Sequence, residues 1–557
     1  MKNAGAVFAG IRSSLRRERS AWLLSRWLFL RLMGIIYLVA FVSLWTQIDG
    51  LVGHNGLLPV PDHLNAAREQ LGAERFWSVP TFCWLDRRDA FLHFQFGAGV
   101  VFSLLLIIGV APVLDLVFLW AIYLSVSTVC GDFLAFQWDI LLLESGFLAI
   151  FLAPRQWLPG RSRETPPSLT VFWLCRWLLF RLMFMSGAVK LLSADASWWH
   201  LTALTFHYET QPLPTWVGWY AHQLPVWFQK ISVALMFVIE LVLPFLIFCG
   251  RRPRQVACGG FVLLMLLISL TGNYCFFNLL TVALCVLLLE DAFLLQVLPA
   301  ALAAFARARL PLRAGQSPPA DGSAASPADP LRAAATPTAG NHAADAPVAF
   351  PSPPSRREVS GAGFWAAIRT FGVVVLAAVI LLVSGTETAV RLFRVRSLPQ
   401  SLRALVRWVS PLRTINSYGL FAVMTTTRPE IVVEGSNDGV TWLPYEFKWK
   451  PGKLQRRPGF VAPHQPRLDW QMWFAALGDY RNNPWFVSLL VRLLEGSPEV
   501  LALLKENPFP EKPPRYLRAV LYEYHFTDFA TRHTTGAWWR RERKGLYCPE
   551  ISLRQNG

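Results

Sequence analysis

The sequence predicts a polytopic α-helical membrane protein of about nine spans, arranged as two parallel four-helix repeats and a last span, followed by a C-terminal extracytoplasmic β-rich domain of β-sandwich-like, α+β type. Three observations carry this. The 557 residues are 54% hydrophobic and only 16% charged, with a mean hydropathy of +0.36, too apolar for a soluble enzyme. RWLFLRLM at residues 26–33 returns as RWLLFRLM at residues 176–183, an internal repeat. Lys and Arg outnumber Asp and Glu by 53 to 36, and they gather in alternate loops, which fits a positive-inside topology better than nucleic-acid binding.

In chain order, residues 1–26 form a basic cytoplasmic tail carrying Lys2, Arg12, Arg16, Arg17, Arg19 and Arg26. The apolar run 27–48 that follows contains Arg31 and leads to no small-residue cleavage site, so it reads as a first span rather than a signal peptide. Judged against the ~20 residues needed to cross hydrocarbon, further spans are expected at 91–110, 113–129, 133–152, 169–192, 231–249, 256–271, 275–289 and 364–384. An inside N-terminus then puts Arg155, Arg161 and Arg163, Arg251, Arg252 and Arg254, and Arg307, Arg309 and Arg313 all on the cytoplasmic side. The two halves, 27–154 and 169–292, each hold an R-W-L-x-x-R-L-M helix, an external loop of roughly 40 residues and three more spans. Residues 311–358 are rich in Pro, Ala and Ser and read as a disordered linker. The soluble remainder, 415–557, falls outside: 430–433 and 440–449 alternate as strands about a turn at 435–439, and 484–494 and 498–505 look helical.

Charged side chains within spans are costly and mark candidate sites. Asp139 and Glu144 lie in the fourth span, Arg176 and Arg181 in the fifth. A rise of ~1.5 Å per residue matches the depths of Glu144 with Arg176 and of Asp139 with Arg181, giving two stacked pairs that either lock the halves together or line a polar cavity. Lys190 falls at the outer end of its helix, as an interfacial anchor or as a base activated by burial. His200, His207 and His222 match no compact metal spacing, so neither a metal nor a cofactor is expected. The eight cysteines include no C-x-x-C; a Cys83–Cys548 disulfide is possible on the outer face, free thiols being the plainer reading. In APHQPRLDWQMWFAALG, residues 462–478, the side chains Trp470, Met472, Trp473 and Phe474 are either core or an adaptable client-binding surface. No nucleophile elbow, phosphate loop or dinucleotide fingerprint stands in a credible setting.

GLVGHNGLLPVPDH (50–63), FQWDILLLESGFLAIFLAP (136–154), RLMFMSGAVKL (181–191), HYETQPLP (207–214), NLLT (278–281), SYGLFAVMTTTRPEIVVEGSNDG (417–439), the 462–478 segment, NPFP (507–510) and PPRYLRA (513–519) together resemble the lipase maturation factor family. The resemblance implies a membrane-embedded, non-enzymatic chaperone for the folding and assembly of secreted dimeric lipases, with the C-terminal domain in the endoplasmic reticulum lumen. Its partners would be a secreted client and membrane lipids, with no nucleic acid. The Ala/Pro/Arg-rich linker is unlike animal members and points to a bacterial cytoplasmic membrane instead. More locally, GAVKLLSAD (187–195) and the Trp-rich loop after it resemble the membrane domain of vitamin K-dependent carboxylases. That likeness implies the alternative, an integral membrane enzyme or binder of a lipophilic substrate that uses Lys190.

Overall fold

A computed structural model describes residues 22–158, 166–309, 361–395 and 397–553. The basic tail up to residue 21 and the expected linker at 311–358 lie outside the described residues. The nine expected apolar runs correspond to α1 (Leu23–Trp45), α2 (Asp89–Ile108), α3 (Pro112–Val129), α4 (Gln137–Leu152), α5 (Leu169–Leu192), α6 (Val226–Phe248), α7 (Arg251–Thr271), α8 (Phe277–Val286) and α9 (Gly361–Phe393). Among the described residues seven of these, all but α4 and α8, are long and apolar enough to cross a membrane.

The two short helices occupy the same place in each half. With 16 and 10 residues they reach ~24 and ~15 Å, against ~30 Å of hydrocarbon. Each follows a notch where the α-helix is broken, residues 131–136 before α4, with a 3₁₀ turn at Gly131–Leu134, and 272–276 before α8, and each notch reaches into an expected span, at 133–136 and 275–276. Gly131 and Cys275 both adopt left-handed φ there, 48° and 55°, which breaks the helix. Irregular backbone at this depth is tolerable only where protein covers it. The C-terminal domain supplies that cover.

The fourth helix of each half leans on the first helix of the other, α4 on α5 and α8 on α1, so the halves interlock. At the opposite end, Asp291 accepts from the amides of Leu23, Leu24 and Ser25 at 2.9, 3.0 and 3.1 Å. A carboxylate from the end of the second half thereby caps the orphan donors of α1, which has no N-cap side chain of its own.

The C-terminal domain is built on a four-stranded antiparallel sheet in the order β2 (Leu443–Pro444), β1 (Pro429–Ser436), β5 (Tyr516–Phe526), β6 (Trp539–Ile551). β3 (Glu446–Phe447) and β4 (Leu504–Glu506) form a second, two-stranded sheet. Helix α10 (Arg467–Ala476) packs across β1, which is why Ile431 and Val433 are fully buried. Helix α11 (Pro484–Glu495) buries Trp485, Phe486, Leu489, Leu490, Leu493 and Leu494, an i, i+3/i+4 stripe, and ends on left-handed Gly496. The apolar core runs without a break from the helical bundle into this domain.

Candidate functional site

The charges singled out from the sequence are buried, but not with the expected partners. Glu144 pairs with Arg181, one turn and a half further along α5 than Arg176. Its second oxygen accepts from Tyr418 Oη at 2.7 Å and from the Asn416 amide at 2.9 Å, and Arg181 donates to Asn416 O at 2.8 Å. Asp139 binds Arg467 of the C-terminal domain through two parallel bonds of 2.6 and 2.8 Å and accepts a third from Tyr123 Oη at 2.6 Å. Arg176 instead donates to Leu287 O, at 3.3 Å, where the carbonyls of α8 end, and stacks on Trp22 with 4.5 Å to the ring centre. The expected pairs Glu144–Arg176 and Asp139–Arg181 are therefore corrected. Depth along two neighbouring helices says nothing of a third element, and here the third element supplies the cation at Asp139, Arg467 of α10, and bonds both members of the Glu144–Arg181 pair through Asn416 and Tyr418.

The same domain closes on both external loops and both notches. Asn273 satisfies all four of its amide bonds: its oxygen accepts from Val461 and Ala462 at 2.7 and 3.0 Å, and its nitrogen donates to Leu213 O and Gly459 O at 3.0 and 2.9 Å. Gln471 donates to Asp132 O, and Arg467 to Phe133 O at 3.0 Å. Arg428, fully buried, donates to the carbonyls of Glu209, Gln211 and Pro212 and pairs with Glu430 at 2.7 Å, while Lys450 holds the other Glu430 oxygen at 2.8 Å. Glu209 in turn accepts from the Phe526 amide at 2.9 Å. In the first loop, Asn55 donates to Glu499 at 3.1 Å, and Ser497 donates to Asn55 O at 3.1 Å.

Within 462–478 the core reading prevails for most side chains. Trp470, Met472 and Trp473 are buried, and Trp473 Nε1 donates to Thr210 O at 2.8 Å. Of the four client-binding candidates only Phe474 is open, at 43% exposure. Trp470, Met472 and Trp473 are corrected as a client surface, because presenting them would require undocking α10 from the bundle. Cys83 and Cys548 are both free and buried.

Lys190 is not an interfacial anchor. Its side chain turns inward, buried, and donates to Glu240 at 2.7 Å and to Ser186 O at 3.1 Å. Two sequence devices make this possible. Pro244 has no N–H for the carbonyl four residues back, which is that of Glu240; the chain of α6 passes through a π-helical turn at Val238–Val242 and then a 3₁₀ stretch at Leu243–Phe248. Gly187, one turn before Lys190, lets α5 lie directly against that turn, since a Cβ there would stand 2.9 Å from Glu240 Cβ and 2.8 Å from Leu241 Cδ2.

The pair lies in the wall of a cavity of about 330 Å³, also lined by His207, Tyr208, Tyr274, Met183, Met236 and Leu264. Gln211 Nε2 donates to Thr271 O at 2.8 Å, so its oxygen accepts from Tyr274 Oη at 2.9 Å. Tyr274 having given its proton to Gln211, His207 Nε2–H must donate to Tyr274 Oη at 3.1 Å, leaving Nδ1 as the acceptor. Burial and the nearby Lys190 ammonium push the His207 imidazole down to about 4, so it is neutral. His222 lies toward Glu209, at 3.9 Å, and His200 is exposed, so the three loop histidines do not converge.

Compared with known proteins, the chain matches the family model described as the lipase maturation factor transmembrane domain over residues 24–296 and that of the lipase maturation factor C-terminal domain over residues 414–549. The chain belongs to the lipase maturation factor family. It is 40% identical to lipase maturation factor 2 of Homo sapiens, over 95% of this chain and 83% of the relative. It is 39% identical to lipase maturation factor 2 of Gallus gallus and 33% identical to lipase maturation factor 1 of Bos taurus, over 95% and 96% of this chain and 81% and 90% of those relatives. No solved structure matches.

Family membership makes the chain an integral membrane protein, and the seam described above joins its two matched regions. The transmembrane region contributes Asp139, Glu144, Arg181 and Asn273; the C-terminal region contributes Asn416, Tyr418, Arg428 and Arg467. Glu240, Arg428 and Arg467 are the residues that sequence reasoning missed. Glu240 had a signal, a single acid in the apolar run VALMFVIELVLPF. Arg467 stands beside Asp469 in an otherwise aromatic segment, a weaker one.

Proposed function

We propose that this member of the lipase maturation factor family is a membrane-embedded folding factor that assists maturation and assembly of secreted proteins, dimeric lipases among them. The observation that carries the reading is the likeness over nearly the whole chain to relatives named lipase maturation factor 2 and 1. The geometry supports it in one respect. The C-terminal domain and both long loops are bonded into a single body at one end of the bundle, a fixed platform rather than a tethered module. That end is extracytoplasmic in this reading and the N-terminus cytoplasmic, because Arg251, Arg252 and Arg254 begin α7 at the opposite end. The membrane is that of the endoplasmic reticulum in a eukaryote or the cytoplasmic membrane in a bacterium. Phe474, the open member of the aromatic segment, is the client-contact candidate.

The test is co-expression with a secreted lipase in cells lacking their own maturation factors, reading secreted lipase activity per unit of lipase antigen. The full chain should raise the active fraction severalfold, and no change would refute the proposal. A reporter fused after residue 557 tests the orientation separately; a cytoplasmic signal would reverse it.

A further inference from the structure

The Lys190–Glu240 cavity is unlike a packing defect, because its polar end is built. A π-helical turn, a proline and a close-approach glycine together deliver one carboxylate to one ammonium within the bundle. Buried ion pairs contribute little net stability, so this construction suits a ligand better than a brace. Its mouth faces lipid. Phe228 on α6, Leu267 on α7 and Leu224, two residues before α6, line it and are all exposed at the periphery of the bundle. Leu264 lies seven residues in from Thr271 at the end of α7, so the cavity reaches ~10 Å below that end. Three methionines, Met183, Met236 and Met265, line it and can repack around a flexible chain.

Charge decides the head group. Lys190 and Glu240 balance each other, so an anionic or cationic head would leave one uncompensated charge in a low-dielectric site. Lys190 meets only Oε2 of Glu240, and two of its three N–H donors are accounted for by Ser186 O and Glu240. A hydroxyl accepts from the third donor and donates to Glu240 Oε1 at once.

We propose that this cavity binds an uncharged, hydroxyl-bearing lipid, with its head at the Lys190–Glu240 pair and its chain leaving between α6 and α7 into the bilayer. The site is independent of which protein is the client.

The test uses the full chain in phosphatidylcholine nanodiscs and a diazirine-bearing monoacylglycerol, with the crosslinked peptides mapped by mass spectrometry. Unlabelled 1-oleoylglycerol, oleic acid, oleylamine and octadecene, of matched chain length, compete. Crosslinks should fall on α6 and α7, and 1-oleoylglycerol should compete at least tenfold better than the other three. Ser232→Trp, which fills the mouth without touching the ion pair, should lower labelling at least tenfold while leaving the melting temperature unchanged. Glu240→Gln, which leaves Lys190 uncompensated, should reverse the preference toward oleic acid. Equal competition by all four, crosslinks confined to other helices, or undiminished labelling of Ser232→Trp would each overturn the proposal.

Discussion

Arg467→Met removes the guanidinium that enters the bundle from the C-terminal domain. In the folded chain that side chain and Asp139 are almost wholly buried and share two bonds of 2.6 and 2.8 Å. Without it, Asp139 keeps only the Tyr123 hydroxyl at 2.6 Å, and Phe133 O loses its side-chain donor. Stranding a buried charge costs about 3–5 kcal/mol, and Asp139→Leu, which strands the cation instead, should cost as much. Removing both charges at once leaves two neutral groups short of one bond each, at about 1–3 kcal/mol apiece. The double variant should therefore be no less stable than either single variant, a coupling of about 3–5 kcal/mol in a double-mutant cycle. Seven of the eight cysteines are buried, so the labelling of thiols by a reactive fluorophore during heating reports unfolding. Single and double variants whose losses simply add would refute the claim that this pair pins the domain to the membrane bundle.

Three further outcomes follow from the geometry. Gly187→Ala would gain about 1 kcal/mol from helix propensity alone, but its Cβ meets Glu240 and Leu241 inside van der Waals contact, at about 1–3 kcal/mol; a net loss in thermal stability is expected, and a net gain would dismiss the close approach. Arg428→Met strips the bonds to three carbonyls of the second loop, at about 1–3 kcal/mol for each buried acceptor left without a donor, while Lys450 keeps Glu430 paired; proteolysis within residues 204–222 should accelerate, and an unchanged digestion pattern would argue against the clamp. His207 is held at about 4 by burial and Lys190, below its ordinary 6.5, so between those values the unfolded chain takes up a proton that the folded chain does not. Stability should accordingly fall as pH falls, by about 2 kcal/mol for this group at pH 5 relative to pH 7. His464, also pushed to about 4 by burial and then by Arg467 and Lys448, adds in the same direction. His207→Gln should flatten the decline, and an undiminished decline in that variant would remove His207 as its source.

The span pattern was legible because lipid imposes it: ~20 apolar residues per crossing and cations in the cytoplasmic loops leave few alternatives. The duplication was legible for the same reason, since R-W-L-x-x-R-L-M stands at the same position in each half. Hydropathy failed at α4 and α8 because it measures removal from water, whichever solvent replaces it. Residues 133–136 and 275–276 are apolar because protein covers them, so hydropathy assigns them to spans they do not form. The buried charges were legible as buried. Their partners were not, because Arg467 lies 328 residues from Asp139 and nothing local announces that its helix enters the bundle. The aromatic segment around Trp470 was ambiguous for a related reason: a helix packed against a membrane domain and one that presents a client surface carry the same side chains, and only the docking contacts separate them.

The duplication and the C-terminal domain explain each other. Two halves with the same chain path present two equivalent notches at the same end of the bundle, one before α4 and one before α8, each with a left-handed residue and open backbone groups. A bundle with two such gaps could not stand bare in a bilayer, where every peptide group needs a partner. One continuous stretch fills both: Gly459, Val461 and Ala462 bond Asn273 at the second notch, and Arg467 and Gln471 bond the carbonyls of Phe133 and Asp132 at the first. Between them, His464 and Gln465 bond Ser43, and Gln47 bonds Gln465 and Arg467, at the end of α1. A segment that satisfies both halves at once fixes their spacing, so the domain carrying it is a structural part of the membrane fold rather than an appendage.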